Sequence, residues 1–241
     1  MEKTLVFTHR LDLALRLIDT ASGRNVRNPT VRIDGAPVRF GVKEGGVLVL
    51  QNLGRRQFRL EAAAPDFEEV RADVDLDALN RAYPLLEIHM IPGGGEGLLT
   101  LSGTLPGITA LFAVRAGDNG CLIREFDVRK RQAKLFNPHR LTLDRLHYAL
   151  VDPDRGVFEP FRIVRLTDGQ TVKTDRVLEM PFRNYFPVSP MVLGRADPDG
   201  RYCLRVRDEG ERAVWYVRWE YGGEARFRTV DFRASPRLEA D

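Results

Sequence analysis

Alternation of inward and outward positions with a period of two dominates this chain, the repeat that places successive side chains on opposite faces of a strand. Between Gly46 and Leu76 it recurs in three runs, 47–50, 58–60 and 70–74. The runs are separated by Asn52-Leu53-Gly54 and Ala64-Pro65-Asp66, which carry turn chemistry. Upstream, Leu11, Leu13, Leu15 and Leu17 alternate with Asp12, Ala14 and Arg16, and predict a strand that ends at Asp19 before the Ser22-Gly23 turn. A helix would scatter those four leucines around its circumference; a strand turns all four inward. Val31–Ile33 and Val38–Phe40 flank Asp34-Gly35, a tight hairpin signal because both residues tolerate positive φ. Residues 77–83 predict a short helical turn stopped by Pro84, and Leu86, Ile88 and Met90 a last strand. Residues 1–9 read as a leader segment that pairs at a sheet edge.

The order of these elements resembles the carboxypeptidase-regulatory-like, or transthyretin-like, β-sandwich. The matching residues are Gly46, Leu48, Leu50, Asn52, Leu53, Phe58, Leu60, Ala62, Ala64, Pro65 and Phe67. Asp66 stands where that family usually has glycine, and Arg55-Arg56 where it has glycine before the aromatic. The resemblance covers residues 1–91 and implies a sandwich with Phe67 returning to the core at a corner. It also implies a non-catalytic module, because such domains are attached to enzymes, adhesins and structural proteins alike.

Residues 92–98 contain Gly93, Gly94, Gly95 and Gly97 and predict a linker, with a second domain over 99–241. That half shows strand runs with turns every eight to twelve residues, among them Asp118-Asn119-Gly120, Asp168-Gly169 and Gly222-Gly223. Leu141 to Leu146 predict a helical turn. The stretch 172–190, with prolines at 181, 187 and 190, predicts a long loop or bent edge segment. The expected fold class is all-β, two antiparallel sandwich or barrel-like domains joined by a glycine-rich linker.

Composition narrows the function. The 241 residues are 43% hydrophobic and 29% charged, enough to bury a core. Lysine and arginine number 37 against 34 acidic residues, a net charge of +3. Arginines 59, 71, 205, 207, 226 and 228 alternate with apolar residues and have acidic neighbours, which predicts solvated sheet faces; nucleic acid is not expected as a partner. No apolar run is long enough to cross a bilayer as a helix, and residues 1–19 lack the pattern of a secretory signal, so the expectation is a cytoplasmic chain without a membrane partner. Cys121 and Cys203 are far apart and predict reduced core thiols.

Candidate chemistry is sparse. His9, His89, His139 and His147 do not form a metal-ligand spacing, and the turns Asp152-Pro153-Asp154 and Asp197-Pro198-Asp199-Gly200 lack the full ligand series of a calcium loop. No nucleophile elbow or phosphate loop occurs, and no cofactor is expected. Two surfaces stand out as interaction candidates: the basic run Arg129, Lys130, Arg131, and the strand that places Trp215, Val217, Trp219 and Tyr221 on one face, with Tyr216 and Arg218 on the other. The leading expectation is a non-catalytic structural or interaction protein, a homo- or hetero-oligomeric subunit of a larger assembly. By analogy, a phage-tail-like or contractile injection apparatus reconciles an appendage-type module with the absence of an export signal. Two rival expectations remain: a carbohydrate-binding module whose glycan stacks on Trp215, Trp219 and Tyr221, and a hydrolase assembled around His139, His147 and Asp152.

Overall fold

The computed structural model describes residues 11–93, 96–117, 121–137, 143, 147–168, 170–180, 185–208, 214–234 and 237–238. Residues 1–9, the 118–120 turn, His139 and, apart from Leu143, the 141–146 stretch lie outside them, as does Gly169. The chain is all-β and divides into two compact units, Met1–Asp19 with Asn25–Gly93, and Thr20–Arg24 with Gly94–Asp241.

The first unit contains β1 (Leu11–Asp19), β2 (Thr30–Ile33), β3 (Ala36–Pro37), β4 (Gly41–Lys43), β5 (Val47–Gln51), β6 (Gln57–Ala63), β7 (Val70–Asp75) and β8 (Leu85–Met90). Two four-stranded sheets, ordered β4-β5-β1-β8 and β3-β2-β6-β7, enclose one core. All pairs are antiparallel except β1 with β8. Leu13, Leu15 and Leu17 are buried there with Leu48, Leu50, Phe58, Leu60 and Ala62, whereas Leu11, at the strand start, is 42% exposed. Ala14 and Ile18 are buried too, so β1 is covered on both faces. Residues 77–83 form successive turns in place of the expected helical turn. Asp66 takes φ 64°, the left-handed region in which glycine is at ease, and Phe67 packs against the core. The outward arginines meet acidic partners, Arg59 with Asp73 at 3.1 Å and Arg71 with Glu69 at 2.8 Å.

Asp34 (φ 48°) and Gly35 (φ 80°) make the turn between β2 and β3. Asp34 Oδ1 accepts the Arg59 backbone N–H at 2.8 Å and Oδ2 pairs with Arg55. That N–H first, and then Arg55, holds the carboxyl below the usual aspartate range. A carboxyl depressed in the folded state adds stability above its unfolded pKa and loses it as pH falls through the folded value. Asp34→Asn keeps the turn and the acceptor but not the charge. Its melting temperature is expected to lie below wild type at neutral pH and to converge with it in acid, below the aspartate range. Thermal melts across pH check this; a gap that does not narrow would contradict it.

The second unit contains β9 (Leu98–Thr104), β10 (Ile108–Arg115), β11 (Leu122–Asp127), β12 (Gln132–Phe136), β13 (His147–Asp152), β14 (Val157–Leu166), β15 (Thr171–Thr174), β16 (Val188–Leu193), β17 (Arg195–Ala196), β18 (Arg201–Arg207), β19 (Val214–Tyr221) and β20 (Glu224–Asp231). Nine strands form one sheet, β11-β12-β15-β14-β13-β16-β10-β19-β20, and β17-β18-β9 form a smaller one. One core lies on the face of β10, β19 and β20 covered by β9 and β18. A second lies inside the other end of the long sheet, which curls around Ile123, Leu135, Tyr148, Leu150, Phe161 and Val172. The curl is fastened by backbone bonds from Tyr185 to Ile123 (2.7 Å), Ile123 to Phe186 (2.8 Å) and Val188 to Cys121 (2.8 Å).

The long loop or bent edge segment expected over 172–190 is corrected at its two ends, where β15 and the start of β16 fall within it; the described residues 175–180 and 185–187 between them form no strand. Pro190 sits inside β16, between two neighbours, where proline is ordinarily excluded. The register explains it. Val188, Ser189 and Pro190 pair with β13, and Met191, Val192 and Leu193 pair with β10. Pro190 stands where pairing passes from one neighbour to the other, so neither ladder has to run through it.

Candidate functional site

The structure corrects the aromatic-strand expectation. Trp215 and Trp219 are only 9% and 4% exposed and belong to the core beneath β9 and β18; Trp215 meets Phe232 edge to face at 5.9 Å. Tyr221 packs against the edge of that core, with the Arg226 guanidinium 5.2 Å above its ring. This face supplies packing and offers no row of open rings for a sugar.

Arg129, Lys130 and Arg131 occupy the exposed turn between β11 and β12. Lys130 Nζ lies 3.6 Å from Asp127, and Arg131 Nη1 donates to the Asp175 carbonyl at 2.8 Å. Arg129 makes no ion pair among the described residues. The hydrolase constellation does not form among them either. His147 and Asp152 are the two ends of β13, on opposite faces and about 17 Å apart at strand spacing. Asp152 Oδ1 accepts the backbone N–H groups of Asp154 (3.1 Å) and Arg155 (3.3 Å), a turn role. Asp197 and Asp199 pair with Arg195 and Arg201 at 3.1 and 2.7 Å. Cys121 is buried and Cys203 half-buried, and neither forms a disulfide among the described residues. No group of three or more metal-ligating side chains occurs among the described residues, and no helix there is long and apolar enough to cross a membrane.

The opposite face of β19 builds a cleft of about 670 Å³. Its walls come from β14, β19, β20 and residues 175–180, and it is lined by Arg155, Arg176, Arg218, Glu159, Phe158 and Phe227 among others. Strand register sets its centre. Phe112 of β10, Arg218 of β19 and Phe227 of β20 are direct cross-strand neighbours in one row. The Arg218 guanidinium carbon lies 6.0 Å from the Phe112 ring centroid and 5.8 Å from that of Phe227, so aromatic rings flank the cation on both sides. Phe227 in turn meets Phe158 edge to face at 5.9 Å.

Charge in the cleft is balanced, Arg155, Arg176 and Arg218 against Glu159, Asp175 and Glu179. Glu159 accepts the backbone N–H of Glu179 (2.9 Å to each oxygen) and of Met180 (2.7 Å), which ties down the wall. Asp175 Oδ1 accepts the Arg162 N–H at 2.8 Å. Arg218 donates one Nη to Glu220 at 3.2 Å, and its buried Nε has no acceptor. Burial pushes the Arg218 pKa below the ordinary arginine value; Glu220 offsets part of this and the like charge of Arg176 adds to it.

The sequence placed Arg218 on the strand face opposite the tryptophans but gave no reason to single it out. Strict alternation through 214–221 marked the two faces, but not which one is covered. Glu159, half-buried in the apolar run 157–161, was also missed, although a carboxylate set in such a run is a signal that could have marked it. Compared with protein-family models and with curated proteins, the chain matches none.

Proposed function

We propose that this chain is a structural and interaction protein, a subunit of a larger protein assembly, docking through aromatic side chains of its second unit. Tyr185 carries the reading. It is 53% exposed, and it is held at φ 74°, a region that bulky residues rarely adopt. Its ring meets Phe136, itself 45% exposed, edge to face at 6.4 Å. The Tyr185 backbone fastens the curl to Ile123, but its ring stays solvent-facing, and a strained, exposed aromatic supports a site held ready for a partner. Val128, Val164 and Leu166, large apolar side chains exposed on the same curled part of the sheet, add to the support. A phage-tail-like or contractile injection apparatus remains, by analogy, the assembly we favour.

Tyr185→Gly tests the idea because glycine relieves the backbone while removing the ring. The variant is expected to melt at or above the wild-type temperature, by up to about 1–2 kcal/mol of added stability, and to associate less. Light scattering of the purified chain over a concentration series, with retention of proteins from the source cells, reads the association. A wild-type chain that stays monomeric and retains nothing that Tyr185→Gly loses would end the proposal.

A further inference from the structure

We infer that β7 is an edge through which two copies of this chain pair, strand against strand and antiparallel, about a two-fold axis beside Ala72. The surface goes beyond the aromatic one proposed above. It lies wholly in the first unit, so the two can be tested apart.

An open edge is the first reason. β7 ends its sheet, and it pairs with β6 from Val70 to Asp75 without a bulge. The Leu76 N–H donates to the Arg56 carbonyl at 2.9 Å. Alternation from that bond turns the backbone groups of Val70, Ala72 and Val74 toward β6 and those of Arg71 and Asp73 away from it. Such a row of unpaired groups is ordinarily blunted by proline, lysine, a bulge, charge or a very short strand. The opposite edge of the same sheet follows that rule, because β3 has two residues and one is Pro37. The six residues of β7 carry charge alone, and its signs choose the occupant.

Register is the second. Residues directly opposite in a sheet share a face, so the axis between two identical strands stands beside a single residue. Beside Arg71 it would set Arg71 against itself and Glu69 against Asp73. Beside Asp73 it would set that carboxylate against itself. Beside Ala72, Arg71 faces Asp73 of the second copy, and the two exchange backbone bonds at both crossings. Within one copy Arg71 lies opposite Glu61, Asp73 opposite Arg59, and Glu61 opposite Arg32. The solvent face then carries Arg32, Glu61 and Arg71, followed by Asp73 and Arg59 of the second copy, with the sign alternating at every step. Arg71 and Asp73 are 66% and 80% exposed, open to that approach. On the other face Val70 meets Val74 of the second copy, and the small side chain of Ala72 stands at the axis. Glu69 would face Asp75 of the second copy, which ends the ladder there. The joined sheet is bounded by two β3 strands, so pairing closes at two copies.

Sedimentation equilibrium of the whole chain over a concentration series reads the pairing. Wild type is expected to show a monomer–dimer equilibrium that weakens with salt. Arg71→Glu and Asp73→Lys, both at exposed positions, are each expected to weaken self-association by about tenfold or more, because each sets like charges together at both crossings. Mixed in equal amounts, the two variants are expected to associate again, since the acidic strand of one then faces the basic strand of the other. A wild type that stays monomeric throughout, variants that self-associate as wild type does, or a mixture no tighter than either variant alone would overturn the inference. The same series in a Tyr185→Gly background separates the two surfaces. Association that Tyr185→Gly removes and the charge variants leave intact sinks this inference alone. Charge-dependent pairing that persists in Tyr185→Gly, with nothing lost on that substitution, sinks the aromatic reading alone.

Discussion

Trp219→Ala is expected to destabilise the second unit by about 3–5 kcal/mol, the range for emptying an aromatic site in a packed core. The indole lies on β19 opposite Leu111 of β10, among Leu101, Leu204 and Val206 of the covering strands. Those neighbours sit on paired backbone and cannot collapse into the space, so the cavity cost adds to the lost transfer energy. The indole Nε1 is buried without an acceptor, which makes part of the ring dispensable. Trp219→Phe keeps much of the volume and removes that donor, and is expected to cost less than about 1.5 kcal/mol. Chemical denaturation of the three proteins decides the matter. A Trp219→Ala protein as stable as wild type would place the ring outside the core and bring the glycan reading back.

Gly200→Ala is expected to cost about 2–5 kcal/mol, far more than a single methyl ordinarily does. Gly200 closes the turn between β17 and β18 at φ 83°, where a side chain costs about 1–2 kcal/mol. A Cβ there would also stand 2.6 Å from Pro106 Cα and 2.8 Å from the Leu105 carbonyl oxygen, both backbone atoms. Room can be made only by moving the turn before β10, whose Leu105 N–H donates to the Gly200 carbonyl at 2.8 Å. Gly222, in the turn between β19 and β20, is the control. Its φ is 59° and nothing lies within 4 Å of a Cβ built there. Asparagine, which accepts that conformation, is expected to be tolerated within about 0.5–1 kcal/mol. Comparing the unfolding midpoints of Gly200→Ala and Gly222→Asn separates backbone clash from positive φ alone.

Much of the architecture was legible because period-two patterning reports faces directly. β5, β6 and β7 coincide with the three runs between Gly46 and Leu76, and the Asp34-Gly35 and Gly222-Gly223 turns lie between paired strands. What patterning cannot report is how many neighbours a strand has. β1 looked half-buried from its leucines, yet it pairs with both β5 and β8 and buries Ala14 and Ile18 as well. Pro190 argued for a loop or bent edge by a rule that assumes a ladder on each side, and Pro160 is a second proline inside a strand that the rule misjudges. In β14, residues 157–162 pair with β13, and pairing with β15 begins only at Ile163. The candidate sites were harder to read for the same reason. Trp215 and Trp219 drew notice as aromatic rings, while Arg218 gains its meaning from Phe112 and Phe227, residues distant in sequence that register brings alongside.

The handover at Pro190 gives the long sheet a waist. The curled end and the β10-β19-β20 end share one strand, and each holds only its own half of that strand through paired residues. Amide exchange in such a sheet divides naturally into two blocks, because fraying of one end stops where its half of β16 stops. A force applied at the curled end would thus not unzip the tryptophan-filled layer beyond.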